Sequence, residues 1–165
     1  MKSNIDINRP TTGIKVTDGN NRLNETLRLE GVIPIDYKVS GSDTNGDLAI
    51  CVSSNNSKGT GPALHVHPDF DETFFVLESE FKYQVGEELF YLTAGDCIFI
   101  PRNIPHAFTC ISDIPGKLLI VVQPAGKLEE FFRAWSQFDK VTPEIALELM
   151  KEYNMEVVGP PLAVD

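Results

Sequence analysis

The sequence predicts an all-β domain followed by two helices, and two observations support this. Between Leu27 and Val122, short apolar or alternating runs recur between clusters of Gly, Asn, Asp, Ser and Pro, which is the pattern of strands joined by turns. From about residue 125 the apolar period changes to that of amphipathic helices. Many short strands without intervening helices favour a sandwich or a barrel.

The 165 residues are interpreted as one domain in three parts. Residues 1–26 are polar and form an arm, in which only 13–17 alternates enough to suggest a short edge strand. The β-domain is expected at 27–124 and a helical extension at 125–165. The expected strands are 27–30, 33–40, 47–54, 63–67, 72–78, 80–86, 88–93, 96–101, 105–111 and 117–123.

The helical extension is predicted from apolar spacing and from a capping signal. Five large apolar side chains follow the i, i+3, i+4, i+7 rule, which indicates packing on the β-domain rather than cofactor binding. Thr142-Pro143-Glu144 gives the second helix an N-cap, a proline at its first position and an acidic first turn. The tail at 157–162 is expected to be extended. The first stripe comprises Leu128, Phe131, Phe132, Trp135 and Phe138, and the second Ile145, Leu149 and Tyr153.

Composition limits the partners that we expect. The formal net charge of −10 argues against nucleic acid and anionic membranes. No segment approaches the ~18–20 apolar residues that span a bilayer, and the N-terminus lacks a signal-peptide core, so a cytoplasmic location is expected. Cys51, Cys97 and Cys110 each lie in an apolar run and are interpreted as buried, reduced thiols. The polar arm and open sheet edges favour a homodimer.

The three histidines of the chain lie in two short segments. His65 and His67 are two residues apart, so in a strand their imidazoles point to the same face. Residues 68–71 are predicted to form a turn, after which a strand can bring the Glu72 carboxylate back beside both rings. His106 follows the punctuated segment 95–105. The simpler alternative is that each histidine is an ordinary core or surface residue. Convergence of the three imidazoles and the Glu72 carboxylate on one point favours a metal site.

The two segments resemble the two motifs of the cupin superfamily. Gly59, five residues, His65-Val66-His67, four residues and Glu72 resemble the first, while Gly95, five residues, Pro101, four residues and His106 resemble the second. This resemblance implies a double-stranded β-helix, the jelly-roll barrel of cupins, and four metal ligands. A single such module followed by helices is most similar to small bacterial quercetinase-like cupins. The implied ligands are His65, His67, Glu72 and His106.

Three positions depart from the cupin motifs. Ser79 and Asn103 stand where glycine is usual, so each must take a tight turn with a side chain present. Cys110 replaces an asparagine, which alters the local hydrogen bonding. None of the three is a ligand position. Arg102, the one basic residue in either motif, is expected to be solvated at a strand end.

Strand alternation predicts which side chains share the interior with the ligands. The result is a charged centre with apolar and aromatic walls, which suits a flat or hydrophobic small molecule. Core filling is the simpler interpretation of most of these phenylalanines. The predicted pocket residues are Ala63, Phe74, Val76, Ile98, Ile100, Phe108 and Cys110.

Three imidazoles and one carboxylate are compatible with one divalent ion: Fe, Mn, Co, Ni, Cu or Zn. Our leading hypothesis is a dioxygenase of an enolisable or flavonol-like substrate, with Glu72 as the base. A redox-neutral isomerase or epimerase needs the same metal and base without oxygen. A non-catalytic small-molecule binder is the third possibility, and vestigial histidines are the fourth.

Overall fold

The computed structural model describes residues 9–164. Within this range the chain has eleven strands and two α-helices, and each of the ten expected strands is present with bounds within two residues of the prediction. In chain order the elements are β1 (Arg28–Leu29), β2 (Ile33–Val39), a 3-10 turn (Gly41–Thr44), β3 (Ala49–Asn56), β4 (Ala63–Val66), β5 (Asp71–Glu78), β6 (Glu80–Val85), β7 (Glu88–Thr93), β8 (Cys97–Ile100), β9 (His106–Cys110), β10 (Gly116–Gln123), α1 (Leu128–Trp135), α2 (Pro143–Glu152) and β11 (Glu156–Pro161).

The strands form two antiparallel sheets. One sheet has six strands in the order β1-β2-β3-β10-β5-β8, and the other has five in the order β11-β4-β9-β6-β7. Strands that are distant in sequence therefore lie side by side, with β10 between β3 and β5. This arrangement confirms the all-β prediction. It also places β4 and β9, which belong to the two histidine segments, side by side in one sheet.

Alternation along the strands builds the core. In β5, Glu72, Phe74 and Val76 are buried, whereas the intervening side chains are more exposed. Leu118 and Val122 of β10 are fully buried beside them. Since successive side chains of a strand point to opposite faces, the buried set faces the second sheet. The interior beside β5 is therefore largely apolar, and Glu72 brings a carboxylate into it.

Two of the three cysteines, Cys51 and Cys110, are buried as predicted. Cys97 is exposed, contrary to the prediction, because Ile98 and Ile100 of β8 face inward and alternation puts Cys97 on the outer face.

The helical extension packs on the β-domain as the apolar stripes predicted. The hydroxyl of Thr142 accepts a hydrogen bond from the Ile145 amide, which confirms the N-cap of α2. In α1 the buried Glu129 accepts hydrogen bonds from the Ser40 hydroxyl at 3.0 Å and the Gly41 amide at 3.2 Å. This carboxylate ties α1 to the 3-10 turn. The helix ends at Trp135, so Phe138 packs on the core from beyond the helix, contrary to the prediction.

At the ends of the chain, one expectation is wrong and one is confirmed. Residues 13–17 form no strand, because Gly13-Ile14 is exposed and finds no neighbouring strand edge. The first eight residues of the predicted arm lie outside the described residues. The tail is more than extended: it forms β11, which pairs with β4 through Val157 opposite His65.

The two substituted glycine positions adopt the predicted turns. Ser79 has φ +75° and Asn103 has φ +66°, both in the left-handed region that favours glycine. The Ser79 hydroxyl donates a hydrogen bond of 2.7 Å to the Ile114 carbonyl, which gives the side chain a role that glycine lacks. Gly61 does require glycine, because a Cβ there would lie 1.7 Å from the Phe108 carbonyl oxygen.

Candidate metal centre

The two sheets each contribute ligand candidates to one point in the interior. His65 of β4 lies directly opposite His106 of β9 in the five-stranded sheet. His67 follows β4 immediately, and its carbonyl accepts a hydrogen bond from the Asn103 amide of the second motif. Glu72 comes from β5 of the six-stranded sheet. The four side chains thus meet across the gap between the sheets.

The three imidazoles are close enough to share one ion. Their candidate ligand nitrogens all lie within 4.8 Å of one another, and all three rings are buried. Oε2 of Glu72 lies 3.1 Å from Nε2 of His67 and 3.1 Å from Nε2 of His106. The structure therefore brings together all four residues that the sequence singled out, with Glu72 bonded to two of the three imidazoles.

Backbone carbonyls fix the orientation of two of these rings. Nδ1 of His65 lies 2.9 Å from the Ala63 carbonyl oxygen, and Nδ1 of His106 lies 2.9 Å from the Ile104 carbonyl oxygen. A carbonyl can only accept, so each Nδ1 must carry the proton. For His65, Nε2 is then left with its lone pair toward the centre, as a metal-ligating histidine requires. Nε2 of His106 donates to the ionised Glu72 carboxylate 3.1 Å away, and an ion that binds there would displace this proton. The third ring, His67, is held by stacking on Phe70 at 3.9 Å between centroids.

Burial and mutual contacts shift the pKa values of the centre. Burial, and then the neighbouring His106, lower the pKa of His65 to about 4, so this ring is neutral at pH 7. Burial alone would raise the pKa of Glu72, but hydrogen bonds from His106 and His67 outweigh it and lower the pKa. For His106, burial is outweighed in the same way by the Glu72 carboxylate, which raises its pKa. The centre thus holds an ionised carboxylate among imidazoles.

Arg102 follows the end of β8 and its side chain is 39% exposed, as expected, but it is also ion-paired. Its guanidinium donates to both oxygens of Asp71, at 3.0 Å from Nε and 2.7 Å from Nη2, and its amide donates to the same carboxylate at 2.8 Å. Further hydrogen bonds reach the carbonyls of Asp69 and Gln123. The hydrogen bonds that Arg102 donates to the Asp71 carboxylate lower the pKa of Asp71 to about 2. Arg102 therefore connects the second motif to the residue that immediately precedes Glu72.

The predicted pocket residues are distributed between full and partial burial. Phe74, Val76, Ile100 and Cys110 are buried in the interior. Ala63, Ile98 and Phe108 are partly buried. Two surface cavities, of about 350 and 270 Å³, are lined by other residues. The assignment of these seven residues to a substrate pocket stays a prediction, as does the catalytic role of Glu72.

Tyr83 of β6 is a polar interior residue that sequence reasoning missed. Its ring packs in an aromatic layer with Phe74, Phe81 and Phe108, at centroid distances of 5.4–6.5 Å. The hydroxyl is buried and has no hydrogen-bond partner among residues 9–164. Such a group destabilises a fold by about 1–3 kcal/mol. The alternation Phe81-Lys82-Tyr83 was the available signal, but it did not distinguish a site residue from core filling.

The donor set fits a divalent transition-metal ion. Imidazole nitrogens suit Zn, Cu, Fe and Ni, and an added carboxylate extends the range to Mn and Co. The Nδ1 contacts orient the rings of His65 and His106 so that both Nε2 atoms belong to the same cluster of ligand atoms, which a satisfied core histidine does not need. His65, His67 and His106 can therefore hold the ion, and Glu72 lies where it can complete the set.

Comparisons with known proteins agree with this geometry. The family model described as Cupin domain matches residues 56–122, which include both motifs. An uncharacterized protein of Methanocaldococcus jannaschii is 32% identical over 66 residues, or 40% of this chain and 53% of that protein. The chain thus spans about half the length of this curated relative.

Two solved structures share the fold at low sequence identity. An RmlC-like cupin from Shewanella frigidimarina has a TM-score of 0.55 and 20% identity, over 70% of this chain and 93% of the other. KdgF from Halomonas has a TM-score of 0.53 and 16% identity, over 68% of this chain and 94% of the other. With the two sheets described above, these matches confirm the double-stranded β-helix.

Proposed function

The chain belongs to the cupin superfamily, with its cupin domain at residues 56–122, and on that premise we propose that it is a mononuclear metal-dependent dioxygenase. The substrate that we propose is a small enolisable or aromatic molecule of the flavonol type. One observation supports this most strongly: three oriented imidazoles and an ionised carboxylate lie directly above a layer of aromatic rings. Such a site suits a flat anionic chelator better than a sugar phosphate.

A divalent ion held by the imidazoles supplies Lewis acidity, which favours a deprotonated enol or phenol oxygen over the neutral group. The protein supplies the base. Glu72 is ionised because histidine hydrogen bonds outweigh its burial. Its lowered pKa makes it a weak base, so it would accept the proton of a substrate whose acidity a bound ion has increased. The contacts with His67 and His106 hold this carboxylate beside the ligand imidazoles, where such a substrate would bind.

The apolar surroundings supply water exclusion. Phe74 and Phe108 contact each other at 5.5 Å between centroids and lie on opposite sheets. A planar substrate that stacks against these rings is held near the carboxylate. Removal of water from the site protects a deprotonated substrate from being reprotonated by bulk solvent.

The test measures first the metal content of the protein and then its consumption of oxygen. Protein purified without chelator or histidine tag is analysed for bound metal and then reconstituted separately with Fe, Mn, Co, Ni, Cu and Zn. Oxygen uptake is measured with quercetin and with simpler enolisable diols. We expect uptake with at least one redox-active ion and loss of uptake in Glu72→Gln. If no metal supports uptake while metal is bound stoichiometrically, the dioxygenase assignment is wrong.

The same experiment separates the alternatives. Turnover of a substrate under strict anaerobiosis with Zn would indicate an isomerase or epimerase. A ligand retained through purification without turnover would indicate a non-catalytic binder. The homodimer stays a prediction, which light scattering of the purified protein measures directly. Among residues 9–164, no helix is long and apolar enough to cross a bilayer.

A further inference from the structure

The Tyr83 hydroxyl is an unused hydrogen-bond donor in the interior. The side chain is fully buried, and within residues 9–164 its oxygen has no hydrogen-bond partner. Buried polar groups are normally paired, so an unpaired one calls for a specific explanation. The aromatic rings that contact Tyr83 are phenylalanines, which offer the hydroxyl no hydrogen-bond acceptor.

The register places this hydroxyl-bearing residue one layer below the metal centre. Val85 of β6 lies opposite His106, and Tyr83 lies opposite Phe108. Residues i and i+2 of a strand share a face and lie about 7 Å apart. Tyr83 therefore points into the same interior as the His106 ring, on the side where Phe74 and Phe108 form the wall.

The electrostatic surroundings keep Tyr83 a donor. Burial, and then the negative charge of Glu72, raise its pKa well above the ordinary value. The hydroxyl is therefore protonated at any physiological pH. Glu72 is near enough to act on this pKa, yet no hydrogen bond joins the two groups. A ligand oxygen located between the carboxylate and the hydroxyl would accept the hydrogen bond that the Tyr83 hydroxyl can donate.

We propose that Tyr83 donates a hydrogen bond to an anionic oxygen of the ligand bound at the metal centre, and so selects planar oxygen chelators. This inference rests on the proposed function, since it needs the metal site. An enolate or phenolate oxygen is the chemistry that a neutral hydroxyl donor in an apolar layer recognises best, because hydrogen bonds to charged acceptors are the strong ones. Phe108, the partly buried ring of the layer, must turn to admit the ligand.

Tyr37 provides a matched control. It is equally buried, and its hydroxyl likewise has no hydrogen-bond partner in the described part of the chain. Burial is the largest cause of its raised pKa, and Cys51 is the next. Tyr37 lies in β2, which β3 and β10 separate from the strand that carries Glu72, so Tyr37→Phe removes the same atom from an equally buried position in another part of the sheet.

The experiment uses the full chain loaded with Co(II) and titrated with tropolone, a planar monoanionic oxygen chelator, while the visible spectrum is recorded. We expect Tyr83→Phe to bind Co(II) as the wild type does and tropolone about tenfold more weakly, which equals about 1.4 kcal/mol. Tyr37→Phe should match the wild type in both titrations. In the metal-free protein, Tyr83→Phe should melt no lower than the wild type, because it removes an unpaired buried hydroxyl.

Each other outcome overturns the inference in a distinguishable way. If the wild type binds no Co(II), the metal site and this inference both fail. If it binds Co(II) but not tropolone, the ligand class is wrong. If Tyr83→Phe and the wild type bind tropolone with equal affinity, the Tyr83 hydroxyl donates no hydrogen bond to the ligand. A loss of Co(II) binding in Tyr83→Phe would place the hydroxyl in the metal site instead of the ligand site.

Discussion

The metal centre and the aromatic layer below it treat polar groups in opposite ways. In the centre, the ionisable side chains are extensively bonded: Glu72 to two imidazoles, and Asp71 to Arg102 through three hydrogen bonds. In the aromatic layer, the one hydroxyl, on Tyr83, is unbonded within the described residues. Nδ1 of His67 is the exception in the centre, since it is buried without a hydrogen-bond partner among the described residues. Paired carboxylates hold ligands rigid for a cation, whereas an unpaired donor leaves a place for a further molecule.

The largest expected effect breaks the centre itself. His106→Ala removes one imidazole and the partner that Glu72 bonds at 3.1 Å. Loss of an outer partner of a ligand costs about 10–100-fold in metal affinity, so loss of the ligand should exceed about 100-fold. Calorimetric titration with Co(II) measures it, with near-ultraviolet circular dichroism as a check of folding. Unchanged affinity in a folded variant would contradict the proposed metal site.

Acidification should weaken the centre next. Metal binding requires neutral imidazoles, so protons compete with the ion. The pKa of His106 is raised from its usual 6.5, whereas that of His65 is lowered to about 4. Affinity should therefore begin to fall near neutral pH, by about tenfold per pH unit for the one proton displaced from His106. His65 should add to the loss only in strong acid. Titrations with Co(II) across this range would show no slope if His106 did not bind the ion.

A smaller effect is expected when the support of the centre is weakened. Asp71→Asn removes the carboxylate that forms an ion pair with Arg102. The change should weaken the attachment of the strand end that positions Glu72. We expect metal affinity to fall by about tenfold, the low end for partners outside the ligand set. Asp113→Asn, in the exposed pair with Lys58, is the matched control and should have no effect. Equal affinities in both variants would mean that the Arg102 contacts do not support the site.

The smallest effect concerns the ring that stacks on His67. Phe70→Leu removes a stack with centroids 3.9 Å apart and planes inclined by 18°. We expect the free energy of unfolding to fall by about 1 kcal/mol, the typical value of an aromatic pair. Chemical denaturation measures it, with Phe99→Leu on the exposed sheet face as the control. A larger loss in Phe99→Leu would show that general packing, not the stack, dominates.

The positions of the ligand candidates were predictable because they depend on local rules. The i, i+2 spacing gives His65 and His67 a common direction, and the turn after them brings Glu72 back toward both rings from the facing sheet. The turn at Asn103 was predictable for the same reason, since asparagine tolerates the left-handed region.

The errors and omissions arise where the outcome depends on pairing between distant segments. Arg102 meets Asp71 across 31 residues, through the β5–β8 register that brings Glu72 opposite Ile100. Tyr83 became a site residue only through its register with β9. Segment 13–17 alternates like a strand but has no edge to pair with. Composition and spacing do not specify such long-range neighbours.

The position of β11 has a consequence for when the site forms. Strand β4, with His65, pairs with β9 at one residue and with β11 at three, so β11 is its main support. Glu156 of β11 pairs with Val66 of β4, which lies 90 residues earlier in the chain. During synthesis, β11 must therefore leave the ribosome before β4 can be paired on both sides. We therefore expect nascent chains to acquire their ion only after synthesis passes this last strand.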